Sequence, residues 1–139
     1  MTPEFRVWDK NTERMWDIET WHFEDEYLDL IEPGVSICDP CIERIWRKQG
    51  DVELMQYTGL KDANGNKIFE GDIVSISNHP FQKHKGDLTG IDIEGNYEIN
   101  WSERDLTWLA GMWKCSETRH YLTVIGNSHE NSELLEEKA

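Results

Sequence analysis

LMQYTGLKDANGNKIFEGDIVSI, residues 54–76, carries the densest turn and strand chemistry in the chain, and its reading decides the fold class. Residues 54–58 are rich in strand formers. Asn64-Gly65 is the dipeptide that accepts the positive φ angles of a type I′ hairpin turn at little cost, so a tight turn is predicted there. Ile68 and Phe69 begin the return, Gly71-Asp72 supplies a bend, and Ile73, Val74 and Ile76 form a strand apolar enough on both faces to be central. No catalytic group lies inside the stretch. Its glycines and Asn64 therefore read as serving backbone geometry.

Working outward, F-R-V-W-D at 5–9 has strand composition, and a polar turn at Lys10, Asn11 and Thr12 separates it from Met15, Trp16, Ile18, Trp21 and Phe23. This predicts an opening β-hairpin. Pro33-Gly34 breaks the pattern and residues 35–37 read as a short strand. Asp39-Pro40 is then an N-cap followed by proline at the first helical position. Ile42, Ile45 and Trp46 recur at i, i+3 and i+4; Arg44, Arg47 and Lys48 suit a helix C-terminus, and Gly50 can stop it. One short helix over 40–49 is predicted. Beyond the central stretch, residues 77–87 are a polar loop, and Tyr97, Ile99 and Trp101 alternate with Glu98 and Asn100 as a half-buried strand. Residues 106–109 and 121–125 add strands, with Gly111 and the polar stretch 114–119 as breaks. In the tail, 127–139, Asn131 is positioned to cap a short helix whose Leu134 and Leu135 pack back onto the body. Short strands joined by turns with little helix describe a mainly β (β-rich α+β) protein, a small barrel or sandwich.

A chain of 139 residues has the size of one ordinary domain. Apolar residues are only 37% of it, so the seven Trp, four Tyr and four Phe must supply much of the buried area. Neither a leader-like apolar run nor a stretch of membrane-spanning length is present, which predicts a soluble, cytoplasmic protein. The formal net charge is −14, the wrong sign for holding phosphates by bulk electrostatics, and duplex DNA is not the expected partner. The acid is concentrated: Asp17, Glu19, Glu24, Asp25, Glu26, Asp29 and Glu32 fall in residues 17–32 without a Lys or Arg, interleaved with Trp21, Phe23, Tyr27, Leu28, Leu30 and Ile31. A solvated strand face is the plain reading of such a run. A docking surface for a basic partner is the sharper one.

Phe5-Arg6-Val7-Trp8-Asp9 with Met15, the block from Leu54-Met55-Gln56-Tyr57-Thr58-Gly59-Leu60-Lys61-Asp62 through Ile68-Phe69-Glu70-Gly71-Asp72-Ile73-Val74, Val124-Ile125-Gly126-Asn127, and Asn131-x-Glu133-Leu134-Leu135 together resemble the signature of the YopX family of phage and prophage proteins. The match covers the two ends and the middle of the chain. Residues 24–50 and 77–120 carry no motif of it, and Ser132 stands where the family usually has proline. The resemblance implies a β-rich protein with an SH3-like barrel, encoded in phage or prophage genomes, without an assigned activity, catalytic residues or cofactor. On that basis the chain divides into an N-terminal β-hairpin plus helix (1–50), an SH3-like barrel core (51–126) and a C-terminal helical tail (127–139) within a single domain.

The preferred function is accordingly non-enzymatic: an accessory protein that binds a host or phage protein, or a second copy of itself, with no membrane role. Its candidate partner-binding residues are Asp17, Glu19, Trp21, Phe23, Glu24, Asp25, Glu26 and Tyr27, and Trp108 or Trp113 could serve as exposed anchors. One alternative is a nucleic-acid-binding barrel with Arg44, Arg47, Lys48, Lys83 and Lys85 gathered on one face. Another is a thiol or metal site. Cys38-Asp39-Pro40-Cys41 is half of a zinc motif or a redox pair at a helix start, and Cys115 with His79, His84 or His120 could complete a metal site. No second motif with ligand spacing accompanies it, and the βαβ alternation of thioredoxin-like folds is missing, so inert cytosolic thiols are the preferred reading.

Overall fold

The structure is a computed structural model that describes residues 4–34, 42–84 and 86–136. Its strands are β1 (Phe5–Asp9), β2 (Arg14–His22), β3 (Tyr27–Ile31), β4 (Arg44–Lys48), β5 (Val52–Lys61), β6 (Lys67–Phe69), β7 (Asp72–Ile76), β8 (Gly95–Ser102), β9 (Thr107–Ala110), β10 (Trp113–Lys114) and β11 (Leu122–Asn127). Among the described residues, helix is confined to α1 (Cys115–Thr118), α2 (Glu133–Glu136) and 3-10 turns at Gln49–Asp51 and Arg119–Tyr121. The protein is therefore mainly β, with strand orders β4-β3-β2-β1-β5-β6 and β10-β9-β8-β7-β11. Two compact units result, Met1–Tyr57 and Thr58–Ala139.

In the first unit β1 and β2 form the expected opening hairpin, with Val7 opposite Trp16 and Asp9 opposite Arg14. Residues directly opposite share a face. The inner face thus collects Val7, Trp16, Leu28, Leu30 and Val52, with Ile18, Trp21, Ile45 and Leu54 packed around them. The sheet is rolled about Trp16. β5 leaves β4 through only Gln49–Asp51, yet pairs with β1, on the far side of β3 and β2. In a flat sheet β1 and β4 would lie about 14 Å apart. Here the Arg47 Nε–H reaches the Asp9 carboxylate at 3.0 Å. Burial pushes the Asp9 carboxyl up, but donation from the Thr12 hydroxyl and N–H, from Arg47 and from the Asn11 N–H outweighs it and holds the group below its ordinary value. Asp9 is thereby a fully buried charge that is fully partnered, the only arrangement in which such a group is tolerated.

The helix expected over 40–49 does not form in its described part: Arg44–Lys48 is strand β4, paired along its whole length with β3. The i, i+3, i+4 spacing of Ile42, Ile45 and Trp46 is a match of three residues, too few to separate helix from alternation. In the strand, Ile45 and Arg47 point inward and Arg44, Trp46 and Lys48 outward. The short strand at 35–37 and the cap at Asp39-Pro40 lie outside the described residues, as do Cys38 and Cys41.

The second unit is a meander, β7 to β8 to β9 to β10, after which α1 and a 3-10 turn lead into β11, which returns to pair with β7. β8 is shared: its first half pairs with β7 and Ile99–Ser102 pairs with β9. The core gathers Ile68, Val74, Ile76, Ile93, Ile99, Ala110, Cys115 and Leu122. Among the described residues no pairing closes either sheet into a barrel.

The loop that decides the central hairpin differs in kind from the expected turn. Asp62 N–H donates to the Asn66 carbonyl at 2.8 Å and Gly65 N–H to the Asp62 carbonyl at 3.1 Å, and in the loop only Gly65 has positive φ, +85°. This is a three-residue loop with glycine in the left-handed position, not a two-residue type I′ turn. The cause is the Asp62 side chain, which accepts from the Asn64 and Asn66 N–H groups and so fixes the wider loop. Space around Gly65 is open, so only its φ resists substitution. Gly65→Val is expected to cost about 1–3 kcal/mol through backbone strain alone, measured as a lowered urea midpoint at unchanged slope. An unaltered midpoint would show that the loop adopts another conformation.

Candidate functional site

The acidic, aromatic segment folds as the β2–β3 hairpin, with Phe23–Glu26 as its turn and Glu26 in the left-handed region at φ +56°. A register shift between Ile18 and Thr20 leaves Glu19 as the extra residue of a bulge. The bulge sends Trp21 to the inner face, opposite Leu28, and His22 to the outer face, opposite Tyr27. The eight candidate residues are thus divided between two faces and a tip.

On the inner side Trp21 stacks on Phe23 at 4.8 Å and meets Phe5 edge-on at 5.7 Å. The Trp21 indole N–H donates to Gln49 at 3.3 Å, which holds the ring in place. These rings, with Ile18 and Glu4, line a groove of about 590 Å³. Phe23 stands at its mouth, 72% exposed, and supplies apolar surface that the core does not use. Glu24, Asp25 and Glu26 follow it in the turn, all exposed. Asp25 and Glu26 also line a hollow of about 450 Å³ with Lys48, Gln49, Gly50 and Asp51.

The remaining carboxylates of the run are engaged. Glu19 accepts from Arg44 at 3.2 Å, Asp29 sits 2.8 Å from His22, Asp17 accepts the Gly34 N–H at 3.3 Å and Glu32 accepts the Glu43 N–H at 3.2 Å. The charge of the segment is therefore concentrated at its tip. On the outer face Tyr27, Asp29 and Trp46 line a second hollow of about 380 Å³, and Trp46 is 60% exposed. Phe5 and Trp46 escape a reading of the sequence as site residues because they lie far from the acidic run and join it only through strand pairing.

The other candidates distribute as follows. Arg47 is inward and bonded to Asp9, whereas Arg44 and Lys48 are outward, so the three cations of β4 are divided between two faces. Lys83 belongs to the second unit, and Lys85 lies outside the described residues. Cys115 is fully buried in the second core, and burial pushes its thiol up to about 12, which makes it a protonated core side chain. Trp108 and Trp113 both pack against that core, and the exposed member of the group is Trp101, which meets Trp108 edge-on at 5.2 Å. Among the described residues no helix is long and apolar enough to cross a membrane.

The family described as YopX protein matches residues 4–136, which include the two segments where no motif is legible. Protein EF1440 from Enterococcus faecalis, known from a crystal structure, is 27% identical to this chain, with a TM-score of 0.59 over 97% of this chain and 99% of that one. No curated protein matches the chain.

Proposed function

The chain belongs to the YopX family, and from that premise we propose that it is a non-enzymatic, phage- or prophage-encoded accessory protein of the bacterial cytoplasm that binds another protein through the β2–β3 hairpin. The observation that carries the reading is the pairing of exposed Phe23, stacked on Trp21 beside an apolar groove, with the acidic turn Glu24–Asp25–Glu26. An aromatic anchor with a charged rim is the composition of a binding surface whose core supplies affinity and whose charges set the encounter rate. The second unit is read as an SH3-like barrel whose sheet, among the described residues, is open. Supporting this are the four-strand meander β7–β10, the 3-10 turn before β11, the return of β11 to β7 and the division of β8 between two partners. Protein is favoured over nucleic acid because Arg44 and Arg47 are each taken by a carboxylate on opposite faces of β4.

The test compares wild type with Phe23→Ala and with the combined Glu24→Gln, Asp25→Asn, Glu26→Gln variant in capture from bacterial lysate, beside a duplex-DNA titration at physiological salt. All these side chains are exposed, so circular dichroism and the urea midpoint should stay as in wild type. Both variants are expected to lose proteins that the wild type retains, and capture by wild type should fall as salt rises, since screening acts over about 8 Å at physiological ionic strength. Identical captured sets for all three proteins, or sub-micromolar affinity for duplex DNA, would sink the proposal.

A further inference from the structure

The outer face of the first unit carries a second arrangement, built from different side chains. Tyr27 on β3 is stacked on its β2 side by His22, with ring centroids 4.0 Å apart and planes 16° apart. Its other side turns toward β4. There Trp46 stands nearly perpendicular to it, centroids 6.2 Å apart and planes at 79°. Asp29 is the direct cross-strand partner of Trp46, and it lies two residues from Tyr27 on the same face. The three line one hollow of about 380 Å³. Two aromatic walls at right angles with a carboxylate lining the same hollow is a geometry that attracts a cation, through the negative ring faces and the Asp29 charge together.

The cations nearby in the sheet are otherwise occupied or directed elsewhere. Arg44 donates to Glu19, and Lys48, opposite Tyr27, lines the neighbouring hollow with Asp25 and Glu26. Asp29 is bonded to His22 through one oxygen, Oδ2, and its side chain remains 39% exposed. The net charge of −14 and the acidic turn at the end of the hairpin add attraction for a positive group. We propose that the Tyr27–Asp29–Trp46 corner is a binding site for an alkylammonium group, the side chain of a lysine on the partner protein. An ammonium suits it better than a guanidinium, because a compact charge fits between two perpendicular rings and a planar fork stacks on one. The inference rests on the proposed protein-binding role only in naming a protein as the source of the lysine; the corner itself stands on its own geometry.

Small probes test the corner with no partner present, so the two readings can fail separately. The full chain is titrated with Nα-acetyl-lysine methylamide and, in parallel, with its uncharged counterpart Nα-acetyl-norleucine methylamide, while NMR follows the Trp46 indole N–H and the Tyr27 ring. The lysine compound is expected to shift both signals saturably, and the norleucine compound to bind about tenfold more weakly or not at all. Read on the Tyr27 ring, Trp46→Ala should abolish the response, and Asp29→Asn should weaken it several-fold; Trp46→Phe, which keeps a ring face, should retain part of it. Trp46 is exposed, so its variants keep the fold, checked by the amide spectrum of β3 and β5. Absence of saturation, equal binding of the two compounds, or a lysine response unchanged in Trp46→Ala would each overturn the assignment.

Discussion

Asp62→Ala is expected to destabilise the second unit by about 3–5 kcal/mol, a large effect for a residue that touches no part of the candidate site. Asp62 is 6% exposed, and its carboxylate accepts the backbone N–H groups of Asn64, Asn66 and Val124, each at 2.9 Å. Val124 lies where the β7–β11 register shifts, so its N–H is satisfied by this side chain at the very point where regular pairing is interrupted. Removing the carboxylate takes the acceptor away from backbone donors on two segments at once. Asp62→Asn, which keeps one accepting oxygen, should lose less. Acid sharpens the test. Burial pushes the Asp62 carboxyl up, but the three N–H donors, with the Asn66 side chain, outweigh it and leave the group below its ordinary value. A depressed folded-state pKa gives stability that is present above the unfolded value of about 3.9 and is lost as pH falls through the folded one. The advantage of wild type over Asp62→Ala should therefore be greatest near neutrality and shrink in acid. An advantage independent of pH would mean that the side chain acts by packing rather than by charge.

Trp16→Ala is expected to have an effect of similar size on the first unit, about 3–5 kcal/mol. Trp16 is fully buried at the centre of the rolled sheet, opposite Val7, and packs with Leu28, Leu30 and Val52. Its indole N–H donates to the Thr12 hydroxyl at 3.0 Å, and the Arg14 guanidinium lies 4.7 Å over the ring. The Thr12 hydroxyl in turn donates to Asp9, so the cavity left by alanine would also loosen the buried charge. A core this small has few side chains able to move into the space. Trp16→Phe should retain much of the packing and lose the hydrogen bond, giving an intermediate loss. Urea unfolding of both variants checks the order; equal losses would show that Trp16 stabilises the unit through its hydrogen bond and not through its volume.

Strands are legible wherever alternation runs long enough. β1, β2, β7 and β8 lie where Val7-Trp8, Trp16-Ile18, Ile73-Val74 and Tyr97-Ile99-Trp101 place them. β3 is present in sequence as Tyr27-Leu28-Asp29-Leu30-Ile31 but hidden by the acidic residues around it, and β4 reads as helix because its pairing with β3 is invisible to local spacing. The acidic run is countable from composition. Its compensation is not: Glu19 meets Arg44 across 25 residues and Asp9 meets Arg47 across 38.

What the sequence determined by itself was the class of structure and the family. Turn dipeptides, glycines and apolar alternation act over a few residues through allowed φ angles and the two-residue period of a strand, so they can be read one segment at a time. Tertiary structure alone decided which charges remain free and which rings are exposed. Both depend on register across several strands, and a single bulge at Glu19 is enough to send Trp21 to one face and His22 to the other. Asp62 shows the same division within one residue: its turn-forming chemistry is local, while its bond to Val124 exists only once β11 has returned to β7.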